Sequence, residues 1–336
     1  MSARPPLNVA IGELLWDLLP TGARLGGTTT NYAILSARLG QHSALVSCLG
    51  DDELGHEAME RLCLLAVDPS TDIYSNTQFD LSNVQVSSEL PTGTVAVTLD
   101  DEGRPHYDIV TPSAWDAIAL SPALLQTAAN ASVICYGTLA QRSNVSRETI
   151  RGFVAAAGAD CARVCDLNLR KPFCNAEVLQ WSLAHADVVK VSDEELSEVG
   201  RLLDDSVLAS GLPQNDGLDL TKAAVRAAER LLQLAPHCRL VAVTLGPHGS
   251  LLVNRFGVHR HPGYRVKVVD TIGAGDAFTA GMVHAYTHHA LLPQINDVAN
   301  RCGSYVASQP GATPRLPEDL IASIRETLNP SRQVPN

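Results

Sequence analysis

Basic residues are scarce. Lys and Arg number 25 against 36 Asp and Glu, a formal charge of −11 over 336 residues. Without clustered cations to displace counterions, the chain is unsuited to non-specific nucleic-acid binding, and any anionic ligand must find a local positive pocket. Paired cysteines are also missing. The eight cysteines stand singly, and the nearest two, Cys161 and Cys165, lack the C-x-x-C spacing of zinc or dithiol sites. Most read as small apolar core residues in a reducing compartment. No apolar run is long enough to span a membrane, and the start, from Met1 through Pro5 and Pro6 into 7-LNVAIG-12, has no signal-peptide core. A cytoplasmic protein with no membrane partner is expected. Neither an internal repeat nor a low-complexity segment is present. What remains is a globular composition, 45% hydrophobic and 18% charged, and at this length an α/β fold forms one large domain with an appendage.

Short β-branched runs alternate with helical stretches. The strands are 131-ASVICYG-137, 162-ARVCDLN-168, 186-ADVVKVS-192 and 238-CRLVAVTL-245, and the helices fall at 146–158, 175–185, 192–203 and 218–235. This alternation predicts βαβ units and a mainly parallel sheet with helices on both faces. The C-terminal third adds a hairpin at 250–269 and helices near 275–290 and 296–308. A different texture appears in 93-GTVAVTLDDEGRPHYDIV-110, two alternating runs around a turn carrying Asp100, Asp101, Glu102 and Gly103. This predicts an antiparallel hairpin that, together with 13-ELLWDLLP-20, forms a small sheet projecting from the α/β core as a lid; the alternative is an edge hairpin packed on the main sheet.

The most informative stretch is 264-YRVKVVDTIGAGDAFTAGMVHAY-286, which predicts a strand, a Gly-rich turn and an amphipathic helix. Gly273 and Gly275 allow a sharp turn, and the N–H groups that follow, free of intrahelical partners, make an anion hole at the helix start. Asp276 in the first turn is placed to accept a proton beside a bound phosphate. A carboxylate is a weak base, but a loose phosphoryl-transfer transition state needs positioning and charge stabilisation more than a strong nucleophile. An isolated Gly-x-Gly-Asp more often means an N-capping aspartate. Rival phosphate motifs fail: there is no G-x-x-x-x-G-K-[ST], Phe278 stands where a dinucleotide fingerprint needs its third glycine, and no protein-kinase loop set occurs.

At this point the residues resemble the ribokinase/phosphofructokinase-B family. The run 270-DTIGAGDAFTAGMV-283 is similar to its C-terminal signature and 26-GGTTTNYAILSARLG-40 to its N-terminal one. Between them, 166-DLNLR-170, 190-KVSDEE-195 and 244-TLGPHG-249 fall where the family has D-x-N-x-R, N-x-x-E and T-x-G-x-x-G. The likeness covers roughly residues 7 to 316.

The resemblance implies a single ribokinase-like α/β domain over 1–336: a three-layer sandwich with a central, mainly parallel sheet and a small β-lid from about 13–20 and 93–110. It implies ATP-dependent phosphorylation of a free sugar, with Asp276 as base, Gly273, Ala274 and Gly275 as anion hole, and Arg170 near the phosphates as a fixed cation. Asp17, Gly26, Gly27, Asn31 and Asn168 would hold the sugar. Thr244, Gly246, Gly249, Asn300 and Gly303 would line the nucleotide. Glu195 would order Mg²⁺ through water, and Asp270, with carbonyls at Ile272 and from Ala307 to Gly311, would hold a monovalent cation such as K⁺. A monomer or homodimer is expected.

Some positions depart from the family pattern. Thr28, Thr29 and Thr30 place hydroxyls after the double glycine, beside the expected sugar pocket, and Ser192 stands where Asn is usual. Only eight residues separate Asp17 from Gly26. The segment 134-ICYGTLAQ-141 resembles fructokinase-like members, which favours a hexose such as fructose. His284, His288 and His289 lie on one helix, but Ala285 stands where H-E-x-x-H needs its glutamate, and no metal site is assigned. Two alternatives stay open. One is a nucleoside kinase or other sugar kinase of the same family, for which Trp16 and Trp115 could stack a base despite an aromatic content of 4%. The other is a catalytically inactive sugar-binding regulator.

Overall fold

The computed structural model describes residues 6–19, 22–66, 79–99, 105–213 and 218–329. They fall into two compact units, Met1–Arg163 with Arg170–Cys174, and Val164–Leu169 with Asn175–Asn336.

In chain order the first unit runs β1 (Leu7–Ile11), β2 (Leu15–Leu19), β3 (Gly22–Gly26), α1 (Thr28–Arg38), β4 (His42–Gly50), α2 (Glu53–Ala66), β5 (Phe79–Asp80), β6 (Val84–Ser87), β7 (Gly93–Leu99), β8 (Pro105–Ile109), α3 (Pro122–Asn130), β9 (Ala131–Tyr136) and α4 (Asn144–Ala156). Strand β1 lies between β4 and β9, parallel to both, with Leu7 opposite His42 and Ala131. Val9, Ala10, Ile11, Leu45, Val46 and Ile134 are completely buried. That is why these strands read as continuous apolar runs: a parallel strand covered on both faces has no polar side to alternate with. Helix α1 packs on β1 and β4.

A separate sheet has the order β3-β2-β7-β8. Strands β2 and β7 are parallel, and both outer pairs are antiparallel, with Asp17 opposite Arg24. The segments 13–20 and 93–110 thus meet as the alternation suggested, although Pro20 and the turn from Asp100 to Gly103 lie outside the described residues. Strand β3 was not expected. The stretch 22-GARLG-26 has a glycine at each end and an arginine within, and it becomes a strand only through its ladder with β2.

The second unit takes the end of β10 (Ala162–Asp166) and continues with α5 (Ala176–His185), β11 (Val188–Ser192), α6 (Asp193–Leu203), α7 (Ser206–Ala209), α8 (Leu218–Leu234), β12 (Leu240–Thr244), β13 (Ser250–Asn254), β14 (Gly257–His261), α9 (Ala274–Thr287), α10 (Leu292–Ala307) and α11 (Glu318–Leu328). Strands β10, β11 and β12 are parallel, β13 and β14 turn back antiparallel, and α8 covers β12 and β13. A mostly parallel sheet with helices against it, and a small separate sheet, are the fold class expected from the sequence.

Two expectations here are corrected. Residues 264–269 form no strand: the hairpin ends at His261, and Val266, Val268 and Val269 are 38%, 58% and 56% exposed. A β-branched run becomes a strand only beside a ladder partner, and here Val269 instead donates its amide to Ala307 O. Helix α9 is not amphipathic, since every residue from Ala277 to Ala285 is buried. An apolar helix of this kind belongs in the core, and small residues bring α10 close against it: a Cβ on Gly281 would lie 2.7 Å from Cys302 Sγ.

The cost of that burial falls on His284. Its Nδ1 has no hydrogen-bond partner, and burial, with His288 and Arg325 adding to it, pushes its pKa down from 6.5 to about 3. The folded state keeps this imidazole neutral while the unfolded chain protonates it below pH 6.5, so stability is lost as pH falls from 6.5 towards 3. The slope expected from this group is about 1.4 kcal/mol per pH unit. Urea unfolding at pH 7, 6 and 5 should show that slope flattened in His284→Leu; an unchanged slope would assign the acid sensitivity elsewhere.

Candidate functional site

In the first unit the sequence candidates gather at the start of α1. Gly27 is its N-cap residue, at φ 106°, and the Thr28 amide donates to Glu13 Oε1 at 3.1 Å. The hydroxyls of Thr29 and Thr30 both donate to the Glu13 carbonyl, at 3.1 and 2.9 Å. Of the three hydroxyls expected beside the sugar pocket, two are turned inward to satisfy a buried backbone acceptor. A Cβ on Gly26 would lie 2.4 Å from Asp17 Oδ2, so a larger residue there would displace that carboxylate. The half-buried Asp17 carboxylate thus lies directly against the glycine turn, while Asn31 is buried in the first turns of α1.

In the second unit the chemistry collects around the start of α9. Gly273 is the N-cap residue at φ 78°, and a Cβ on it would lie 2.4 Å from Ala312 O. Backbone conformation and contact both demand glycine. Ala274 donates its amide to Thr271 O at 3.2 Å, so of the three expected anion-hole amides it is already engaged. Those of Gly273 and Gly275 have no acceptor among the described residues. Asp276 is the third residue of the helix and partly exposed.

Beneath this turn is a buried polar cluster. Asp166, at the end of β10, stands opposite Lys190 on β11. Their Oδ1 and Nζ are 3.0 Å apart, with side chains 1% and 7% exposed. The other oxygen, Oδ2, accepts from Thr279 Oγ1 at 2.8 Å, and Thr279 Oγ1 also reaches Gly275 O at 3.1 Å. Burial alone would depress Lys190, but Asp166, Glu195 and Asp276 together raise it above the usual lysine range and hold it charged. Burial pushes Asp166 up, with Lys190 opposing and Glu195 reinforcing. Asp166 and Lys190 each open a motif quoted above, yet neither was among the candidates. The available signal was a lysine inside the apolar run 188-VVKVS-192, since a cation buried there requires a carboxylate.

Glu195 closes a capping box at the start of α6: Oε2 accepts the Ser192 amide at 2.7 Å, and Oε1 accepts the Leu169 amide at 2.5 Å. Each oxygen keeps a second lone pair, a donor set suited to holding a water of a hydrated cation rather than a bare ion. Asn168 adopts the left-handed region at φ 35°, and Arg170 is exposed. Thr244 and Gly246 to Gly249 form the turn between β12 and β13, where a Cβ on Gly249 would lie 2.2 Å from His261 O. Asn300 is buried, with its amide on Ser250 and Asn296, and Gly303 lets α10 approach Ala274 O. Asn300 thus lies behind the start of β13, while the half-exposed Gly303 lies against the start of α9. Asp270 bridges the Ile272 and Gly311 amides at 3.0 and 3.2 Å, which brings together the backbone segments named for a monovalent cation. Among the described residues no group of three or more His, Cys, Asp or Glu is arranged to hold a metal ion, and no helix is long and apolar enough to cross a membrane.

Comparison with known proteins identifies the family. The family model described as pfkB family carbohydrate kinase matches residues 21–319. Fructokinase-1 from Oryza sativa subsp. japonica is 28% identical, over 95% of this chain and 97% of that protein. A fructokinase from Escherichia coli is 29% identical, over 91% and 95% respectively. Among solved structures, a fructokinase with bound ATP from Xylella fastidiosa superposes with a TM-score of 0.74 at 21% identity, covering 98% of this chain and 99% of that one; at that identity the likeness speaks for the fold.

Proposed function

The chain belongs to the pfkB family of carbohydrate kinases, and from that premise we propose that it transfers the γ-phosphate of ATP to a hydroxyl of a free hexose, fructose being the favoured substrate. The observation that carries the transfer step is the Gly273–Asp276 turn, where two unengaged amides and a carboxylate share the first turn of one buried helix. In this reading the amides of Gly273 and Gly275, flanked by Ala274, hold the γ-phosphate oxygens. Asp276 takes the proton of the attacking hydroxyl as its oxygen bonds to phosphorus and ADP departs. Asp17, the Gly26–Gly27 turn, Asn31 and Asn168 fix the sugar hydroxyls, since a site built to hydrogen-bond hydroxyls discriminates strongly between sugars. Thr244, Gly246 and Gly249 line the nucleotide, Asn300 and Gly303 lie along the adenine, and Arg170 attends the phosphates. Glu195 suits a water of Mg²⁺, which when bound supplies charge neutralisation on the phosphates. The loop tied by Asp270 is the proposed seat of a monovalent cation such as K⁺.

The hexose assignment rests on the 136-YGTLA-140 segment and on the fructokinase names of the relatives. One observation counts against a nucleoside acceptor. Trp16 and Trp115 are both fully buried, each with a guanidinium over its ring, Arg61 at 4.6 Å and Arg142 at 3.8 Å, so neither offers an open face to a base. Initial rates with ATP across fructose, ribose, other hexoses and nucleosides should give the highest kcat/KM for fructose or another hexose. A higher value for ribose or adenosine would overturn the assignment.

A further inference from the structure

Lys190 is a cation the transfer scheme does not use, and its location is unusual for a lysine. It lies on an interior strand, directly across the ladder from Asp166. A Cβ built on Gly275 would be 3.2 Å from its Nζ, so the ammonium touches the underside of the second residue of α9. Thr279 closes the arrangement by linking Asp166 to the Gly275 carbonyl. A fully apolar pair of similar volume would fill such a place at no electrostatic cost, and an interior ion pair is weak evidence for stability. Its effect on the surroundings is more specific. The pair is a fixed dipole whose positive end meets Gly275, so it adds to the helix-start potential at the phosphate turn and restrains the backbone that presents the amides.

We propose that Lys190 is a positioning residue for phosphoryl transfer, acting through Gly275 on the Gly273–Asp276 turn and not by contact with substrate. The inference rests on the reading of that turn as the transfer site. Removing the charge should slow transfer while leaving the binding of both substrates nearly unchanged. The effect should be smaller than loss of a direct hydrogen-bond donor to developing charge, about tenfold in kcat against roughly 10²–10³ for such a donor.

The test uses Lys190→Gln, whose amide can still donate to Asp166, and the double variant Lys190→Met with Asp166→Asn, which leaves no buried carboxylate unpaired. Each is assayed in the full chain for kcat, for KM of sugar and of ATP, and for thermal midpoint, beside Asp276→Asn. The expected result is a roughly tenfold fall in kcat in both variants, with each KM within about threefold of the parent, in protein that melts as one cooperative transition. Recovery of parental kcat in the double variant would show that Lys190 only neutralises Asp166, and a rise confined to KM would make it a binding residue; either overturns the proposal. If Asp276→Asn itself kept parental kcat, the reading of the turn would fall and this inference with it. A fall in Asp276→Asn with parental kcat in both Lys190 variants would sink the inference alone.

Discussion

Asp276→Asn is expected to lower kcat by about 10²–10⁴-fold, the usual contribution of a positioned base, while ATP affinity changes little or tightens. The substitution keeps shape and removes one charge. Asp276 is partly exposed at the third position of α9, where loss of a favourable charge–dipole interaction costs about 0.3–1 kcal/mol, too little to unfold the protein. The turn itself is held independently, by the left-handed Gly273 against Ala312 and by Thr279 on Gly275. Stability and catalysis can therefore be read separately. A binding isotherm for ATP, a thermal melt and steady-state kinetics on the same preparation decide the matter. Near-normal turnover, or loss of activity only through unfolding, would make Asp276 a helix-start residue with no part in the chemistry.

Asp17→Ala should act on the sugar side alone. Losing a charged acceptor costs about 1.5–3 kcal/mol, which corresponds to a roughly ten- to hundredfold rise in KM for the sugar, with KM for ATP unchanged. The contact with Gly26 supplies an independent check. Because a Cβ at position 26 would lie 2.4 Å from Asp17 Oδ2, Gly26→Ala must displace the carboxylate and should reproduce the KM defect with Asp17 still present. Unaltered sugar affinity in both variants, with lowered melting temperature, would make Asp17 a structural residue of the small sheet.

The parallel framework was legible because burial on both faces leaves strands such as 131-ASVICY-136 and 188-VVKVS-192 nearly free of polar alternation, between helices of the right length. The Gly-rich turn was legible because only glycine satisfies both the conformation and the contact at Gly273. Other features were out of reach for definite reasons. Whether 264–269 ladders depends on a partner the local sequence does not name. The inward turn of Thr29 and Thr30 depends on the Glu13 carbonyl, which arrives from a segment more than ten residues earlier. The Asp166–Lys190–Thr279 cluster unites three distant positions, and only the strand register shows that the first two stand opposite each other. Residue types announced what chemistry was available; pairing decided which groups were already committed.

The parallel ladder around β1 also bears on how the chain emerges from synthesis. Strand β1 ends at Ile11, and one neighbour, β4, is complete by Gly50, but the other, β9, runs only from Ala131 to Tyr136. At about 5–20 residues per second of translation, some 6–25 s separate β1 from its second partner. Throughout that interval a strand as apolar as Val9-Ala10-Ile11 presents an open edge, a condition that invites association with neighbouring nascent chains. Helix α1, made within the first 38 residues, shields its face but not its rim. A ribosome stalled before Ala131 would hold an unfinished sheet, with β1 unpaired along the side that β9 later fills.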